Sequence, residues 1–249
     1  MIKDIKFFLQ KIFSLQHIIL KKRILRSIKN KTENEYLIIP KLCNKNLLSL
    51  DVGVFRGVYS FLLSQHSKLV IGFEANPLVY LYINENLKKI INNIEIYNIA
   101  LSNKLGDVIL RVPYRKKSFF KKNFEDYYEI GLSTIHQDNN LGNKDYENFT
   151  VKSSTLNNFS FNTKVGFIKI DTEGHEQLIL EGATNILFND KPNLLIEIEA
   201  RHRGNNVNET FYYLKNYGYK SYIFYKEKLI KISGYMEDDK FNNYIFKYS

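Results

Sequence analysis

Short apolar runs alternate with amphipathic stretches from residue 47 onward. The apolar runs are rich in Ile, Val and Leu and end at polar or glycine-containing turns, a pattern typical of buried β-strands. Five of them read NLLSLDV, KLVIGFE, IEIYNIAL, VGFIKID and NLLIEIE. Stretches with helical spacing lie at 57–66, 77–91, 174–188 and 207–217. Strands that alternate with helices predict an α/β fold with a mainly parallel sheet covered on both faces.

Two segments depart from this alternation. Residues 1–40 are predicted to form a basic, amphipathic helical segment that precedes the main domain at 41–249. Residues 113–147 are polar and aromatic, with a Lys/Arg cluster at 115–122, and we expect an insertion over the functional site. This insertion is either a substrate-facing lid or a plain surface loop, although long loops in compact domains are often functional. The tail that begins YKSYIF is predicted to add further strands to the sheet.

The net charge of +10 is concentrated at the N-terminus. Residues 1–31 hold nine Lys or Arg and one acid, so they carry +8 and the other 218 residues carry +2. The near-neutral body argues against an extended nucleic-acid surface. Two interpretations of the basic segment stay open: its helices pack on the domain, or a helix lies on an anionic membrane surface.

The sequence also bears on the compartment. The single cysteine, Cys43, excludes an intrachain disulfide, which fits a reducing environment. No apolar run approaches the roughly 20 residues that span a bilayer, and charges interrupt every apolar stretch near the start. We therefore expect a cytoplasmic protein, with the basic segment as its one candidate for peripheral membrane contact.

Acidic and glycine residues stand where two predicted strands end. Asp51, Gly53 and Gly57 follow the first strand, and Glu74 closes the second strand, 21 residues after Gly53. Ligands of such sheets bind outside the carboxyl ends of the strands. Glycine permits a tight turn and a close approach of backbone amides, and an acid at this spacing suits ribose hydroxyls. The pattern predicts a site for an adenosine-containing cofactor; the alternative is a tight turn beside an exposed glutamate.

The glycine spacing narrows the choice of cofactor. The G-x-G-x-x-G of dinucleotide sites and the G-x-x-x-x-G-K-[ST] of P-loops are both absent. S-adenosylmethionine has no pyrophosphate to bind, and an acid beside a glycine turn suits its ammonium and sulfonium groups. We therefore favour S-adenosylmethionine, with S-adenosylhomocysteine as the product, over a nicotinamide cofactor.

Seven segments between about residue 47 and residue 200 carry a family resemblance. In order they read LDVGVFRGVYS, GFEANP, NIALSNKLGDVIL, GLSTI, SSTLNNF, VGFIKIDTEGHEQLILEGA and PNLLIEIEA. Together they resemble the FkbM-type methyltransferases, a class I S-adenosylmethionine-dependent family. The chain departs from the family pattern at Asn157, where Asp is usual, and at Val54 and Phe55, where Ala and Asn are frequent. The resemblance implies a three-layer Rossmann-like sandwich with a mainly parallel seven-stranded sheet and an antiparallel last strand.

The resemblance also assigns residues to the cofactor site. It implies that Glu74 holds the ribose, that Ala100 and Ser102 lie near the adenine, and that Asp171 lies near the methionine portion and the acceptor. The implied cofactor-binding set is Asp51, Gly53, Gly57, Tyr59, Ser60, Glu74, Asn76, Ala100, Ser102 and Asp171.

The run IKIDTEGHE holds three candidate catalytic residues, Asp171, Glu173 and His175. Asp171 and Glu173 would share a face if the strand persisted. The three could bind Mg²⁺ or Mn²⁺, but such a string has no strict geometric signature and a metal is not favoured. Glu173 could instead cap the following helix. A role that suits His175 or Glu173 better than metal binding is that of a general base, which removes the proton of an acceptor hydroxyl. The alternative for His175, a solvent-facing position on the helix, is the commoner fate of such a residue.

The fifth strand ends in LLIEIEARHRG and supplies two more catalytic candidates, Glu197 and His202. Their position at a strand end suits contacts with the acceptor. Alternation puts Glu197 and Glu199 on one face of an apolar strand, where two acids need partners or water.

Three classes of function remain. The resemblance implies methyl transfer, and we favour O-methylation of a hydroxyl on a sugar, a glycan or a related small molecule. A nucleic-acid methyltransferase is supported only by the basic N-terminus, and Cys43 precedes the first strand, where a thiol nucleophile is not expected. The third class is a non-catalytic membrane-associated protein that keeps the fold; the acids and glycines at the strand ends argue against it.

Overall fold

The computed structural model describes residues 15–114, 133–135, 145–200, 206–238 and 240–248. These residues form eleven strands in two sheets. The strands are β1 (Leu48–Val52), β2 (Leu69–Phe73), β3 (Ile94–Tyr97), β4 (Ala100–Leu101), β5 (Gly106–Tyr114), β6 (Asp145–Ser154), β7 (Val165–Ile170), β8 (Asn193–Glu197), β9 (Tyr219–Tyr225), β10 (Lys228–Ile232) and β11 (Asn243–Tyr248).

The larger sheet confirms the predicted α/β architecture. Its order is β10-β9-β11-β8-β7-β1-β2-β3, and the five strands from β8 to β3 run parallel. The last strand, β11, is antiparallel to β8, as the resemblance implied. The sheet therefore places the carboxyl ends of β1, β2, β7 and β8 side by side at one edge, where ligands of such folds bind.

The predicted strand count was one too low, because the described part of this sheet has eight strands. The additional strand is β10, which pairs antiparallel with β9 in a hairpin. Its turn residues, Lys226 and Glu227, have φ angles of +48° and +60°. Positive φ at both central positions is the two-residue hairpin turn that Asn-Gly usually forms. Lys-Glu gives no such signal, so the hairpin was not predictable from turn chemistry.

Alternating side chains of the central strands bury two separate clusters. Leu50 of β1 and Ile168 of β7 belong to the cluster on one face, whereas Phe167 and Leu195 belong to the cluster on the other. All four are fully buried. Successive side chains of a strand point to opposite faces of the sheet. Because both faces are buried here, these strands are continuous runs of Ile, Val and Leu in the sequence.

Seven α-helices within the described residues cover the sheet. They are α1 (Gln16–Lys29), α2 (Ile39–Leu42), α3 (Val58–Ser64), α4 (Pro77–Leu87), α5 (Glu176–Glu181), α6 (Thr184–Asn189) and α7 (Glu209–Asn216). The predicted helix at 174–188 is two short helices, α5 and α6. They separate at Gly182, where a Cβ atom would lie 2.1 Å from the carbonyl oxygen of Ser102. The chain therefore needs glycine at this crossing.

A second, three-stranded sheet was not predicted. Its order is β4-β6-β5, and β5 and β6 pair antiparallel from Gly106 opposite Ser153 to Tyr114 opposite Asp145. The predicted strand IEIYNIAL is split between the sheets, since β3 joins the large one and β4 the small one. The predicted insertion at 113–147 runs from the last residues of β5 to the first residues of β6. Most of it, at 115–132 and 136–144, lies outside the described residues, so the prediction of a lid falls on residues outside the described part.

Helix α1 packs on the domain through one side. Leu20 and Ile24 are buried in the same cluster as residues of α3 and α4. The outward side mixes apolar and basic residues: Ile18 and Leu25 are 41% and 46% exposed, and Lys22, Arg26 and Lys29 are also exposed. Residues 1–14 lie outside the described part. No helix in the described ranges is both long and apolar enough to cross a bilayer.

Candidate active site

A cavity of about 300 Å³ opens at the carboxyl ends of β1, β2, β7 and β8. Its wall is apolar on one side, with Val79, Ile99 and Leu101, and acidic on the other, with Asp171 and Glu197. A volume of about 300 Å³ lies at the lower end of the range for small-molecule and cofactor sites. The position is the one that the strand pattern predicted.

The turn after β1 contains two glycines, each of which is required for a different reason. Gly53 has φ +88° and lines the cavity; a Cβ atom there would lie 1.9 Å from the carbonyl oxygen of Asp171. Gly57 has φ +73° and precedes α3, and its missing Cβ makes room for Leu87 of α4, which would lie 2.5 Å away. Gly53 therefore allows β1 and β7 to approach at the cavity, whereas Gly57 serves helix packing behind it.

Phe55 occupies the position where the resembling family often has Asn. Its φ is +50°, and its backbone N–H donates to Oε2 of Glu74 at 2.9 Å. Asn tolerates this left-handed region better than most residues, so the same backbone explains the family preference. Val54, the other departure, is buried against Gly72, whose Cβ would lie 2.7 Å from its Cγ2 atom.

Glu74 directly follows β2, and both of its carboxylate oxygens already accept hydrogen bonds. Oε2 accepts from Phe55 N, and Oε1 accepts from the backbone N–H of Asn76 at 2.8 Å. Burial raises the pKa of Glu74 to about 7, and the two backbone N–H groups lower it. The carboxylate is thus fixed in orientation at the cavity wall, and each oxygen keeps a lone pair for a ligand hydroxyl.

Asn76 lines the cavity, but both the oxygen and the nitrogen of its side-chain amide already have hydrogen-bond partners. Its Oδ1 accepts from the backbone N–H groups of Leu78 and Val79 at 3.0 and 3.4 Å, which caps α4, and its Nδ2 donates to Ser133 Oγ at 3.1 Å. Asn76 therefore serves as the N-cap of α4, a role that its place in the sequence motif did not predict.

The loop after β7 is organised by Glu176 rather than by Glu173. Strand β7 ends at Ile170, so the predicted shared face of Asp171 and Glu173 does not form. Glu176 Oε1 accepts from Thr172 N, Thr172 Oγ1 and Gly174 N, at 3.3, 3.1 and 2.9 Å. Glu173 has φ +54° and lines the cavity, and the N-cap of α5 is His175, so the alternative of Glu173 as a helix cap does not hold.

A buried lysine that the sequence reasoning missed lies beneath the acidic side of the cavity. Lys169 of β7 is 1% exposed; its Nζ is 3.1 Å from Oδ2 of Asp171 and 4.9 Å from the ring centroid of Tyr59. Burial lowers the pKa of Lys169, but the carboxylates of Asp171, Glu197 and Glu33 outweigh burial and raise it above its ordinary value. A lysine inside the apolar run VGFIKID was the available signal, because a buried charge requires partners.

Asp51 and Glu197 belong to β1 and β8, the strands on either side of Lys169 in β7. Asp51 pairs with Lys169 in the β1–β7 register and accepts a hydrogen bond from Ser60 Oγ. Burial raises the pKa of Asp51 to about 6, while Ser60 and Lys169 lower it. Burial and then the neighbouring Asp171 raise the pKa of Glu197 well above its ordinary range. Since Glu197 and Asp171 are close enough to hydrogen-bond, one proton between them relieves the repulsion of two carboxylates.

Glu33, from the segment before the domain, also lines the cavity. Its Oε1 accepts from Tyr36 OH at 3.1 Å, and its Oε2 accepts from Tyr59 OH and from Asn243 Nδ2. No local pattern in the sequence pointed to this residue. It reaches the site because the segment after α1 is held against α3 and β11, through Tyr59 and Asn243.

A second cavity, of about 710 Å³, adjoins the first. The two share His175 and Ile135 in their walls. Ser102 lines the second cavity, and its Oγ is 3.0 Å from Nε2 of the buried His175. The remaining wall comes largely from β5 and β6 and includes Arg111 and Tyr146, whose ring centroid is 5.6 Å from the guanidinium carbon.

The predicted site residues thus fall into three groups. Those that line the first cavity are Gly53, Glu74, Asn76, Ala100, Asp171, Glu173, His175 and Glu197. Those that lie behind or beside its described lining are Asp51, Gly57, Tyr59, Ser60 and Ser102. His202 lies at 201–205, outside the described residues. Glu199 follows the end of β8, and its Oε1 accepts from Asn242 Nδ2 at 2.9 Å.

Within the described ranges, no group of three or more His, Cys, Asp or Glu side chains has an arrangement that could hold a metal ion. Asp171, Glu173 and His175 all face the first cavity, but they do not form such a group. The described residues therefore offer no support for the metal alternative.

A family model described as the methyltransferase FkbM domain matches residues 51–221. No curated protein sequence matches the chain. The crystal structure of methyltransferase FkbM from Methylobacillus flagellatus KT is 15% identical, with a TM-score of 0.50; the match covers 82% of this chain and 44% of that one. The chain thus spans less than half the length of that protein.

Two further solved structures have lower TM-scores. A putative methyltransferase from Streptococcus mutans, solved in complex with SAH, is 11% identical with a TM-score of 0.47, and the match covers 87% and 97% of the two chains. An rRNA methylase from Streptococcus thermophilus is 11% identical with a TM-score of 0.46, covering 86% and 95%. Likenesses at such identities concern the fold alone.

Proposed function

The chain belongs to the FkbM family of S-adenosylmethionine-dependent methyltransferases, and from this premise we propose that it methylates oxygen, on a hydroxyl of a sugar, a glycan or a related small molecule. The observation that carries the proposal is the position of His175. This buried side chain lines both cavities, so it stands between a chamber suited to the methyl donor and a chamber suited to the acceptor.

The first cavity, which we call the donor cavity, has the chemistry that the donor requires. Its apolar wall suits an adenine ring, and Glu74 at the end of β2 suits the ribose hydroxyls. Its acidic end suits a cation, because Glu33, Asp171 and Glu197 gather around the single charge of Lys169. When bound there, S-adenosylmethionine supplies an electrophilic methyl group on a sulfonium that departs as a neutral thioether.

The task left to the protein is to remove a proton from the acceptor. A hydroxyl becomes nucleophilic as its proton is withdrawn, and His175 is the side chain placed for this, with Nε2 held by Ser102 at the wall of the second cavity. The acidic end of the first cavity, which His175 also lines, offsets the positive charge that the imidazolium then gains. His202, Glu173 and Glu197 remain candidates for acceptor contacts.

The second cavity suits a hydroxyl-rich acceptor. Its wall combines hydrogen-bonding side chains, Ser102 and Asn148, with Tyr146, which is 46% exposed. Aromatic faces beside donors and acceptors of hydrogen bonds provide the two kinds of contact that a sugar ring offers. We therefore favour a saccharide over an apolar small molecule.

Two sets of measurements test the proposal. Calorimetric titration of the full chain with S-adenosylhomocysteine and, in parallel, with NAD should give binding of the first, on the order of micromolar, and none of the second. Transfer of a labelled methyl group should then be followed to a panel of neutral and acidic saccharides and to RNA. Label on a saccharide hydroxyl supports the proposal. Label on RNA alone would favour the nucleic-acid alternative, and a lack of binding to S-adenosylhomocysteine would favour the non-catalytic one.

We also propose that the enzyme acts at a membrane surface. The outward side of α1 carries Ile18 and Leu25 beside Lys22, Arg26 and Lys29, all exposed. Apolar and basic residues on one side of a helix are the combination that favours the interface of an anionic bilayer.

A further inference from the structure

Glu33 lies outside the part of the chain that matches the family model, which begins at residue 51, yet it lines the donor cavity. It belongs to the stretch between α1 and the first 3₁₀ turn (Asn34–Leu37). Hydrogen bonds from Tyr36 OH, Tyr59 OH and Asn243 Nδ2 hold its carboxylate in place. All three donors are neutral, so they orient the carboxylate without cancelling its charge.

The charge balance around Glu33 is negative. Glu33, Asp171 and Glu197 all line the cavity and all act on Lys169, the cation that their carboxylates share. Lys169 is ion-paired with Asp171 at 3.1 Å and lies below the described lining. With one proton shared between Asp171 and Glu197, two negative charges still face the one positive charge of Lys169, and a cationic ligand group lowers the free energy of such an arrangement.

Two anchors fix Glu33 to the acidic end rather than to the adenosine end. Tyr59 donates to Glu33, and its ring lies 4.9 Å from Lys169 Nζ, which connects the N-terminal segment to β7. Asn243 of β11 also donates to Glu33. Strand β11 pairs with β8, and β8 ends at Glu197. Glu74 and the apolar wall lie at the ends of β2 and β3, on the other side of the cavity.

We propose that Glu33 binds the α-ammonium group of the donor's methionine portion, so that the segment before the family domain supplies a specificity-determining residue of the donor site. The proposal rests on the proposed function. It implies that this segment is part of the binding machinery and not only a support for the domain.

A comparison of two ligands isolates this contact. S-adenosylhomocysteine carries the amino-acid portion, whereas 5′-methylthioadenosine keeps the adenosine and the sulfur but lacks that portion. In calorimetric titrations of the full chain, Glu33→Gln should weaken S-adenosylhomocysteine roughly tenfold or more, the size expected for a charged hydrogen bond. The affinity for 5′-methylthioadenosine should change less than about twofold.

Glu35→Gln is the matched control. Glu35 is a buried acid two residues away that also acts electrostatically with Lys169, but it is not among the described lining residues. Glu35→Gln should leave unchanged the ratio of the affinity for S-adenosylhomocysteine to the affinity for 5′-methylthioadenosine. If Glu33→Gln does not fold, Tyr59→Phe removes one anchor of Glu33 and should lower the same ratio by a smaller factor.

The outcomes separate this inference from the proposed function. Equal weakening of both ligands, or of neither, by Glu33→Gln would overturn the ammonium contact while leaving the methyltransferase proposal intact. Failure of the unsubstituted chain to bind either ligand would instead count against the donor cavity itself.

Discussion

Gly53 and Asp171 are in backbone contact at the carboxyl ends of β1 and β7: a Cβ atom on Gly53 would lie 1.9 Å from the carbonyl oxygen of Asp171. The contact lies in the wall of the first cavity, because both residues line it. It also means that the glycine cannot be replaced without moving the residue that carries the ion pair with Lys169.

Gly53→Ala should therefore destabilise the protein and abolish donor binding. The φ of +88° alone costs a non-glycine residue about 1–2 kcal/mol, and the clash with Asp171 adds to that. The measurements are urea unfolding and titration with S-adenosylhomocysteine. Gly106→Ala is the control, since its φ of +142° strains the backbone but nothing lies within 4 Å of the added Cβ. Donor binding that survives in Gly53→Ala would contradict this account of the cavity.

Glu74 should make the protein less stable as the pH rises. Burial raises its folded pKa to about 7 from 4.5, so its contribution to stability is complete below about pH 4.5 and is lost as the pH rises through 7. The full loss corresponds to about 3 kcal/mol. Glu74→Gln should remove that pH dependence and also lose S-adenosylhomocysteine binding. Unfolding free energies at pH 5 and pH 8 for both proteins provide the test; the same slope in both would contradict it.

Lys169→Met should leave the neighbouring carboxylates without their shared cation. We expect a loss of about 2 kcal/mol at pH 8, less than for a fully buried pair because the Asp171 side chain is 35% exposed. The deficit should shrink toward pH 5, since protonation of the carboxylates replaces the missing charge. Urea unfolding at the two pH values measures it. A deficit that grows on acidification would show that Lys169 acts by another route.

His175→Gln should separate catalysis from donor binding. If His175 removes the acceptor proton, the single-turnover rate with the acceptor found in the panel should fall about 100-fold or more, while the affinity for S-adenosylhomocysteine changes less than about threefold. His66→Gln, at a site remote from both cavities, controls for the loss of a histidine. A rate within threefold of the unsubstituted enzyme would remove His175 as the base.

Reversal of charge on α1 tests the membrane proposal without disturbing the core. The triple variant Lys22→Glu, Arg26→Glu and Lys29→Glu keeps the buried Leu20 and Ile24. It should lose co-sedimentation with phosphatidylserine-containing vesicles at physiological salt, with S-adenosylhomocysteine binding unchanged. Each basic residue near an anionic surface contributes about 1 kcal/mol, so the loss should be large.

A matched triple variant on β9 and β10 completes that experiment. Lys220→Glu, Lys228→Glu and Lys231→Glu change the net charge equally on exposed positions of β9 and β10. Vesicle binding should survive in this control. Equal loss in both triples would mean that net charge, and not the side of α1 described above, drives the association.

The sequence by itself determined the parts of this protein that depend on local periodicity. Runs of mainly apolar residues form strands buried on both faces, as the neighbouring residues Phe167 and Ile168 of β7 illustrate. The place of the cavity followed from the same pattern, because parallel strands bring their carboxyl ends to one edge whatever their order. Glu74 could be named from its place at a strand end and its spacing from Gly53, and the family resemblance added Asp171.

Only the tertiary structure decided which side chains meet. Lys169, Asp171 and Glu33 converge although Glu33 lies far from the other two in sequence, and no periodicity encodes such a distance. Asp51 pairs with Lys169 through sheet register and lies behind the cavity, and Gly57 is fixed by Leu87 from another helix. Hydrogen bonds and ion pairs depend on separations of a few ångströms, whereas a sequence pattern specifies only which face of its own element a residue occupies.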